Sequence, residues 1–433
     1  MRSLKGVRGI LESYQAFHPH PTPLPSKGEG VNIENGATSM SLPPLLLKKN
    51  EDRRLRAGHL WVFSNEVDIK RTPLKAFAPG EAVEIQAHNG RAVGTGYVNP
   101  NSLICARLLS RDAAHPPDRS LLVHRLNIAL SLRERLYAQP FYRLAFGESD
   151  NLPGLVVDRY GEVLVAQITT AGMEMMKADI VAALMKVMKP SGILFRNDVG
   201  IRELEGLPLY TELAHGTVAE AVTIEEHGCR FEVPLTAGQK TGWFFDQYDN
   251  RGRLLRYLPG KRMLDVFSYV GAWGIQAAAH GAREALCVDR SATALAQATR
   301  NAALNGVQIG TREADAFDAL RELHAAGEKF DVVVLDPPAF VKRKKDLAAG
   351  REAYQRINQL GMQVLNRDGL LISCSCSYHL PAEALLAGIQ SACRHLDREA
   401  QVLERGGQAA DHPVHPAIPE TAYLKAFFVR VVG

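Results

Sequence analysis

From Met263 onward the chain alternates short runs that are apolar throughout with segments of helical spacing, and few folds accommodate that alternation. The expected strands are Met263-Leu-Asp-Val, Ala285-Leu-Cys-Val-Asp289, Val307-Gln-Ile309, Phe330-Asp-Val-Val-Val-Leu-Asp336 and Leu370-Leu-Ile-Ser-Cys-Ser-Cys376, with a late strand within Ala422 to Val432. Helices are expected from Gly274 and from Ala292 to Asn305, the second ended by Gly306. Strands apolar on both faces, each alternating with a helix, build a parallel sheet covered on both sides. Ligands on such sheets sit beyond the carboxyl ends of the strands. The loops that carry Gly271, Asp289, Asp315, Asp336 and Cys376 all fall at that edge, so one site is expected there.

The first of these loops narrows the ligand class. Met263-Leu-Asp-Val-Phe-Ser-Tyr-Val-Gly-Ala-Trp-Gly274 places Asp265 inside the apolar run and two spaced glycines at the start of a helix. Glycines there let a ligand approach the backbone closely, with the helix N-terminus facing it. About 20 residues past such a loop, an acidic residue at the end of the next strand reaches a ribose hydroxyl, and Asp289 stands there. The full G-x-G-x-x-G of dinucleotide enzymes is missing, so a nicotinamide cofactor fits poorly. An acidic first strand with only two glycines resembles the S-adenosylmethionine loop of class I methyltransferases. An ordinary βα turn with a surface Asp is the alternative on pattern alone.

A chain of 433 residues is too long for one core and should hold two or three domains. No apolar run approaches the ~20 residues of a membrane helix, so no membrane span is expected. The net charge of +4 does not by itself imply nucleic acid. Six scattered cysteines without a CxxC pair argue against a disulfide framework or a structural zinc site. A reducing, cytoplasmic location follows, in which a free thiol is available as a nucleophile, and no metal is expected.

Residues 1–40 read as a disordered extension. His18-Pro-His-Pro-Thr-Pro-Leu-Pro-Ser-Lys-Gly-Glu-Gly30 cannot bury a core and lacks the apolar stretch of a signal peptide, and Met40 could be the true start. Residues 41–115 read as a small β-barrel of short strands and glycine-marked bends. It resembles a PUA domain, an RNA-binding barrel, through Pro79-Gly-Glu-Ala-Val83 and Gly94-Thr-Gly-Tyr-Val-Asn-Pro100. Ahead of it Lys48 to Arg56 is rich in cations and leads to Trp61 and Phe63, residue types suited to phosphate contacts and base stacking. A solvated charge run with both aromatics in the barrel core is the other reading. Residues 116–235 mix helix, from Ser120 to Tyr137 and from Met175 to Met188, with strand, and carry only scattered carboxylates. They are expected to be a scaffold that widens the substrate cleft.

Residues 236–433 carry the chemistry. In Gly238-Gln-Lys-Thr-Gly-Trp-Phe-Phe-Asp246-Gln247-Tyr-Asp-Asn-Arg251, acid, amide and base crowd against aromatics. Such groups are costly to bury without partners, which a ligand with an amino-acid head group could supply; a capped helix start is the simpler account. Asp336-Pro337-Pro338-Ala339-Phe340 turns stiffly at a strand end and suits a planar base bonded on one edge and stacked on one face. In Ser373-Cys-Ser-Cys376-Ser377 the two thiols stand two residues apart and so point the same way from a strand. Cys374, deeper in the apolar run, suits the core, and Cys376 at the mouth suits reaction. Carbon-5 of a pyrimidine is a poor nucleophile until a thiolate adds to carbon-6, and covalent catalysis of that kind is one reading of Cys376. Two inert buried cysteines remain the alternative. Lys342-Arg343-Lys-Lys345 follows Phe340 and suits RNA phosphates, or a solvated surface run.

These pieces together resemble the RlmI-type family of large-subunit ribosomal RNA cytosine-5 methyltransferases from about Leu45 to Val432. The barrel with Asn99-Pro100, Asp150-Asn-Leu-Pro-Gly-Leu-Val-Val-Asp158, Leu264-Asp-Val-Phe267, Asp336-Pro-Pro-Ala-Phe340, Ser375-Cys-Ser377, and a tail with Asp411-His-Pro and Pro419-Glu-Thr-Ala-Tyr-Leu-Lys425 carry the resemblance. It implies an α/β chain, with a Rossmann-like class I methyltransferase sheet preceded by the PUA barrel and a central α+β domain. The implied cofactor is S-adenosylmethionine and the implied partner large-subunit ribosomal RNA. The implied roles place Asp265, Phe267 and Gly271 at the methionine end of the cofactor with Asp246 and Gln247 nearby. Asp289 would hold the ribose and Asp315 the adenine side. Asp336 would contact both cofactor and base, Pro337, Phe340, Lys342 and Arg343 the substrate, and Cys376 would be the nucleophile. The extra Cys374 and the unrelated N-terminal extension depart from the pattern. A homodimer is compatible with this make-up. Competing readings are purine methylation with structural cysteines, an inactive RNA-binding module, and a hydride-transferring oxidoreductase.

Overall fold

The computed structural model describes residues 42–236 and 241–433. The N-terminal extension, Met40 and Gly238-Gln-Lys240 lie outside the described residues.

Three larger sheets follow one another along the chain. The first has five strands, ordered Pro44–Leu46, Glu81–Gln86, Ala92–Val98, Ala106–Ser110, Trp61–Val62. Glu81–Gln86 alternates as a half-buried strand should, burying Val83 and Ile85 in the barrel core and turning its glutamates outward. The basic stretch ahead of it spends part of its charge internally. Arg54 pairs with Glu66 at 2.7 Å and lies over the ring of Phe63, and Arg56 pairs with Asp52 at 2.6 Å. Trp61 is half-buried, and its indole N–H donates at 2.8 Å to Glu148, in the turn that follows the strand Phe141–Phe146.

The central sheet also has five strands, ordered Thr211–Gly216, Gly192–Arg196, Val163–Ile168, Leu155–Tyr160, Phe141–Phe146, with the helix Arg119–Leu136 packed on it. The helix expected over Met175 to Met188 is two pieces, Ala171–Met175 and Lys177–Met188, broken at Met176. The hairpin Ala221–Glu226 and Cys229–Pro234 leads on to the last sheet.

That sheet has seven strands: β1 Arg262–Val266, β2 Glu284–Asp289, β3 Gly310–Glu313, β4 Phe330–Leu335, β5 Leu365–Ser375, β6 Glu399–Gly407 and β7 Lys425–Val432, in the spatial order β3-β2-β1-β4-β5-β7-β6. The first five pair in parallel, while β7 pairs antiparallel with both β5 and β6. Alternate residues face two different cores. Leu264, Val266, Val333, Leu335 and Leu371 enter one; Met263, Val332, Val334, Leu370, Ile372 and Cys374 enter the other. This two-sided burial is why each strand reads as a continuous apolar run. Two expectations need correction. The third strand starts at Gly310, and Val307-Gln-Ile309 is the connection into it. The sheet is also not parallel throughout: β6, mostly exposed at the edge and carrying charged and glycine residues, has no apolar run to betray it. The order reverses between β1 and β4, and the crevice beyond the carboxyl ends at such a switch point is where ligands bind.

Buried polar contacts tie the sheets together. Arg133, fully buried, is bidentate to Asp150 at 2.6 and 2.7 Å and donates to the Asp411 carbonyl at 2.6 Å. Arg143 is bidentate to Asp158, while its own backbone N–H donates to the Asp411 carboxylate at 2.8 Å. The carboxylates of Asp150-Asn-Leu-Pro-Gly-Leu-Val-Val-Asp158 are therefore anchors of packing between the central and last sheets.

Candidate active site at the carboxyl edge of the sheet

Beyond β1, β2 and β4 lies a cavity of about 530 Å³, within the ordinary range of small-molecule sites. Its lining includes Asp246, Gln247, Phe267, Asp289, Asp315, Asp336, Pro337, Phe340 and Cys376, so nine of the sequence-derived candidates converge. Asp265, Gly271, Lys342 and Arg343 do not line it.

Asp265 and Gly271 act one layer behind. Asp265 has no solvent exposure, and its Oδ2 accepts the backbone N–H of Gly274 at 3.0 Å. Burial, first of all, pushes its carboxyl up to about 7, with Asp336 and Asp289 adding to the rise and the Gly274 N–H opposing it. Its other oxygen has no hydrogen-bond partner among the described residues. Gly271 caps the helix Ala272–Ala279 with φ +82°. Phe267 and Tyr269, at φ +68° and +50°, share this left-handed backbone. The loop is thus wound tightly, and Asp289 holds it by accepting the Tyr269 N–H and the Ser291 N–H at 2.9 Å each. These two bonds fix the Asp289 carboxylate at the cavity, where further lone pairs can accept from a ligand.

Asp315 is exposed at the rim and caps the helix Ala316–Ala325 by accepting the Phe317 N–H at 2.9 Å. Asp246 does not cap the helix Tyr248–Leu254; its carboxylate accepts the Tyr423 hydroxyl while lining the cavity. Asp336 accepts from Gln247 at 2.9 Å and from the Trp273 indole at 3.2 Å. Burial raises its carboxyl to about 6; Trp273 works against this and Asp246 with it. Phe340 lines the cavity and packs on Tyr354, ring centroids 4.8 Å apart. Phe317 and Phe267 stand 6.1 and 6.4 Å from it. The cations Lys342 to Lys345 are exposed on the loop that follows, with Arg343 paired to Asp346 at 3.1 Å.

The two thiols differ sharply. Cys374 is fully buried in the core, and burial pushes its thiol well above the ordinary range. Cys376 stands one residue past the last ladder pair of β5, lines the cavity and reaches the Pro337 carbonyl at 3.8 Å. Tyr354 donates to or accepts from Ser377 at 3.0 Å, and the Ser377 hydroxyl accepts the Val341 N–H at 3.1 Å, which locks the Asp336–Phe340 turn to the cysteine strand. Sequence reasoning missed Phe244, Tyr269, Phe317 and Leu424 in the lining, Trp273 and Tyr423 behind it, and Lys425 beside it. Tyr269 and Trp273 sit inside the glycine loop, Phe244 and Phe317 stand two residues from Asp246 and Asp315, and Tyr423, Leu424 and Lys425 lie in the tail segment, but nothing in their spacing assigns them to the site.

An acidic cavity between aromatic walls suits a ligand that joins a cationic amino-acid end to a nucleoside. The residues present therefore fit S-adenosylmethionine.

Comparison with known proteins bears on the same point. The PUA-like domain family matches residues 45–111, and the S-adenosylmethionine-dependent methyltransferase family matches residues 209–430. A ribosomal RNA large subunit methyltransferase I from Aliivibrio fischeri is 40% identical over 395 residues, spanning 90% of this chain and 99% of the relative. One from Shewanella amazonensis is 39% identical over 393 residues, 89% of this chain and 98% of the relative. Among solved structures, a protein from Streptococcus mutans described as a SAM-dependent methyltransferase shares the fold with TM-score 0.76 at 20% identity, over 90% of this chain and all of that one. A second, described as a methyltransferase complexed with SAH, aligns with TM-score 0.78 at 20% identity over the same shares. No helix among the described residues is long and apolar enough to cross a membrane.

Proposed function

The chain belongs to the ribosomal RNA large subunit methyltransferase I family of S-adenosylmethionine-dependent enzymes, and from that premise we propose that it methylates carbon-5 of a cytosine in large-subunit ribosomal RNA through a covalent bond to Cys376. The observation that carries this reading is the contrast between the thiols: Cys376 lines the cavity beside the Asp336–Phe340 turn, while Cys374 is sealed in the core.

S-adenosylmethionine, when bound, supplies an electrophilic methyl group on a sulfonium. Asp246, Gln247 and Phe267 would hold its methionine end, Asp289 its ribose and Asp315 its adenine side; Asp265 and Gly271 act by shaping the loop. Pro337 and Phe340 hold the target base, and Lys342 and Arg343 meet the phosphates around it. The Cys376 thiolate adds to carbon-6, and the displaced π pair makes carbon-5 nucleophilic. Asp336, with its carboxyl near 6, shares a proton with the ring nitrogen on which charge develops. Carbon-5 would take the methyl group, leaving the donor sulfur as a neutral thioether, then lose its proton to water, and the returning pair would expel the thiolate. The work divides among residues 41–115 as RNA-binding barrel, 116–235 as scaffold and 236–433 as catalytic domain, in a cytoplasmic enzyme.

The test is incubation with S-adenosylmethionine and unmodified large-subunit rRNA, followed by nucleoside mass spectrometry. We expect 5-methylcytidine, and its loss by at least a thousandfold in Cys376→Ala. Methylated guanosine or adenosine, with Cys376→Ala active, would remove the thiol mechanism and leave the Asp336-Pro-Pro loop serving an exocyclic amine.

A further inference from the structure

Lys425, the first residue of β7, pairs directly across the sheet with Ser375, the last residue of β5. Its ammonium donates to the Ser377 carbonyl at 2.6 Å and to the Tyr423 carbonyl at 2.8 Å. Lys425 therefore spans Cys376, its backbone opposite the residue before the thiol and its charge on the carbonyl of the residue after it. Its neighbour Leu424 lines the cavity with Cys376. We propose that Lys425 is a positioning residue for the reaction, an ammonium built into the sheet end to favour the thiolate of Cys376. The inference rests on the reading of Cys376 as the nucleophile.

A cation at this place offsets the carboxylates of the cavity. Asp246 and Asp336 share the cavity with Cys376 and oppose a further negative charge there. Tyr354, from the helix Leu347–Gln363, and Cys374, one strand position back, also interact with Cys376 and offer no positive charge. Arg290 lines the cavity but is exposed, where solvent screens it. Lys425 is half-buried and coupled electrostatically to Cys376. Burial draws its ammonium down to about 8, the thiolate draws it up, and it remains a cation at neutral pH. Coupling between two charges is reciprocal, so the ammonium that a thiolate stabilises stabilises that thiolate. Two backbone carbonyls hold it in place, which leaves no long side chain to be ordered when substrate arrives.

The test measures the rate at which iodoacetamide alkylates Cys376 in the full chain between pH 6 and 10, read on the Cys376 peptide by mass spectrometry. Lys425→Met should move the midpoint of that profile upward by a unit or more, with alkylation at neutral pH falling about tenfold or more. Lys425→Gln keeps a donor for the Ser377 carbonyl without the charge and should behave as Lys425→Met, whereas Lys425→Arg should restore most of the wild-type profile. Methylation by the Met and Gln variants should fall in proportion and recover as pH rises. An unmoved profile in Met and Gln variants that still bind S-adenosylmethionine overturns the inference. Parallel assay of Cys376→Ala separates the two claims. A shifted alkylation profile with Cys376→Ala still active leaves the electrostatic pairing standing and removes the nucleophile reading. Inactive Cys376→Ala with an unmoved profile does the reverse.

Discussion

At the scale of single residues, burial makes two carboxyls of the site, Asp265 and Asp336, weaker acids than usual. Asp265 shows the cost most clearly. Its carboxyl, ordinarily near 3.8, is pushed to about 7 by burial. Between those values the unfolded chain releases a proton that the folded protein keeps, so stability falls as pH rises through that window. Asp265→Asn retains an acceptor for the Gly274 N–H and removes the ionisation. Its melting temperature should therefore depend less on pH between about 4 and 7 than that of wild type, as calorimetric scans in the absence of ligand would register. An identical slope in the two proteins would mean that Asp265 ionises normally. The sequence marked Asp265 as a ligand contact; its depth behind the loop follows from alternation along β1, which turns it to the same side as the buried Met263.

At the scale of elements, the loop between β1 and the helix Ala272–Ala279 is held by packing as tight as its backbone. A Cβ on Gly274 would lie 2.4 Å from the Cys287 sulfur on β2, so the helix can approach the sheet only with glycine there. Gly274→Ala should cost about 1–3 kcal/mol of stability by overpacking and weaken S-adenosylmethionine binding through displacement of the loop. Cys287→Ala removes the clashing atom. The double variant should thus recover part of the loss, a positive coupling that urea titration of the four proteins would measure. Additive losses would place the strain elsewhere. At β4 the Asp336–Phe340 turn is joined to the cysteine strand through the Ser377 hydroxyl, which accepts the Val341 N–H.

At the scale of the whole molecule, the catalytic sheet is moored to the central sheet by charge. Arg133 reaches Asp150 on its own side and the Asp411 carbonyl on the other, with no solvent exposure. Replacing it by Met leaves Asp150 buried without its cation, which costs about 3–5 kcal/mol. We expect Arg133→Met to lower the denaturant midpoint accordingly, while S-adenosylmethionine affinity in the folded protein stays near wild type. Loss of affinity without loss of stability would assign Arg133 to the site instead. Neither Asp150 nor Asp158 announced this role in the sequence, because a carboxylate's partner lies 17 and 15 residues away in one case and the other, and the third member more than 260 residues away.

The sequence by itself determined the doubly covered sheet, its glycine loop and the convergence of Asp289, Asp315, Asp336 and Cys376 on one edge. Those features depend on local periodicity and on which end of a strand a residue occupies, and both are written in neighbouring residues. It also placed Cys374 in the core and Cys376 at the mouth of the strand, since Cys374 belongs to an apolar run and Cys376 ends one. The tertiary structure alone decided the edge strand β6, the antiparallel pairing of β7, the place of Asp265 behind the loop, and the arrival of Tyr423 and Lys425 beside the site. The edge strand β6 carries a weak pattern, and a hydrogen bond or ion pair between elements far apart in the chain leaves no trace in the spacing of either.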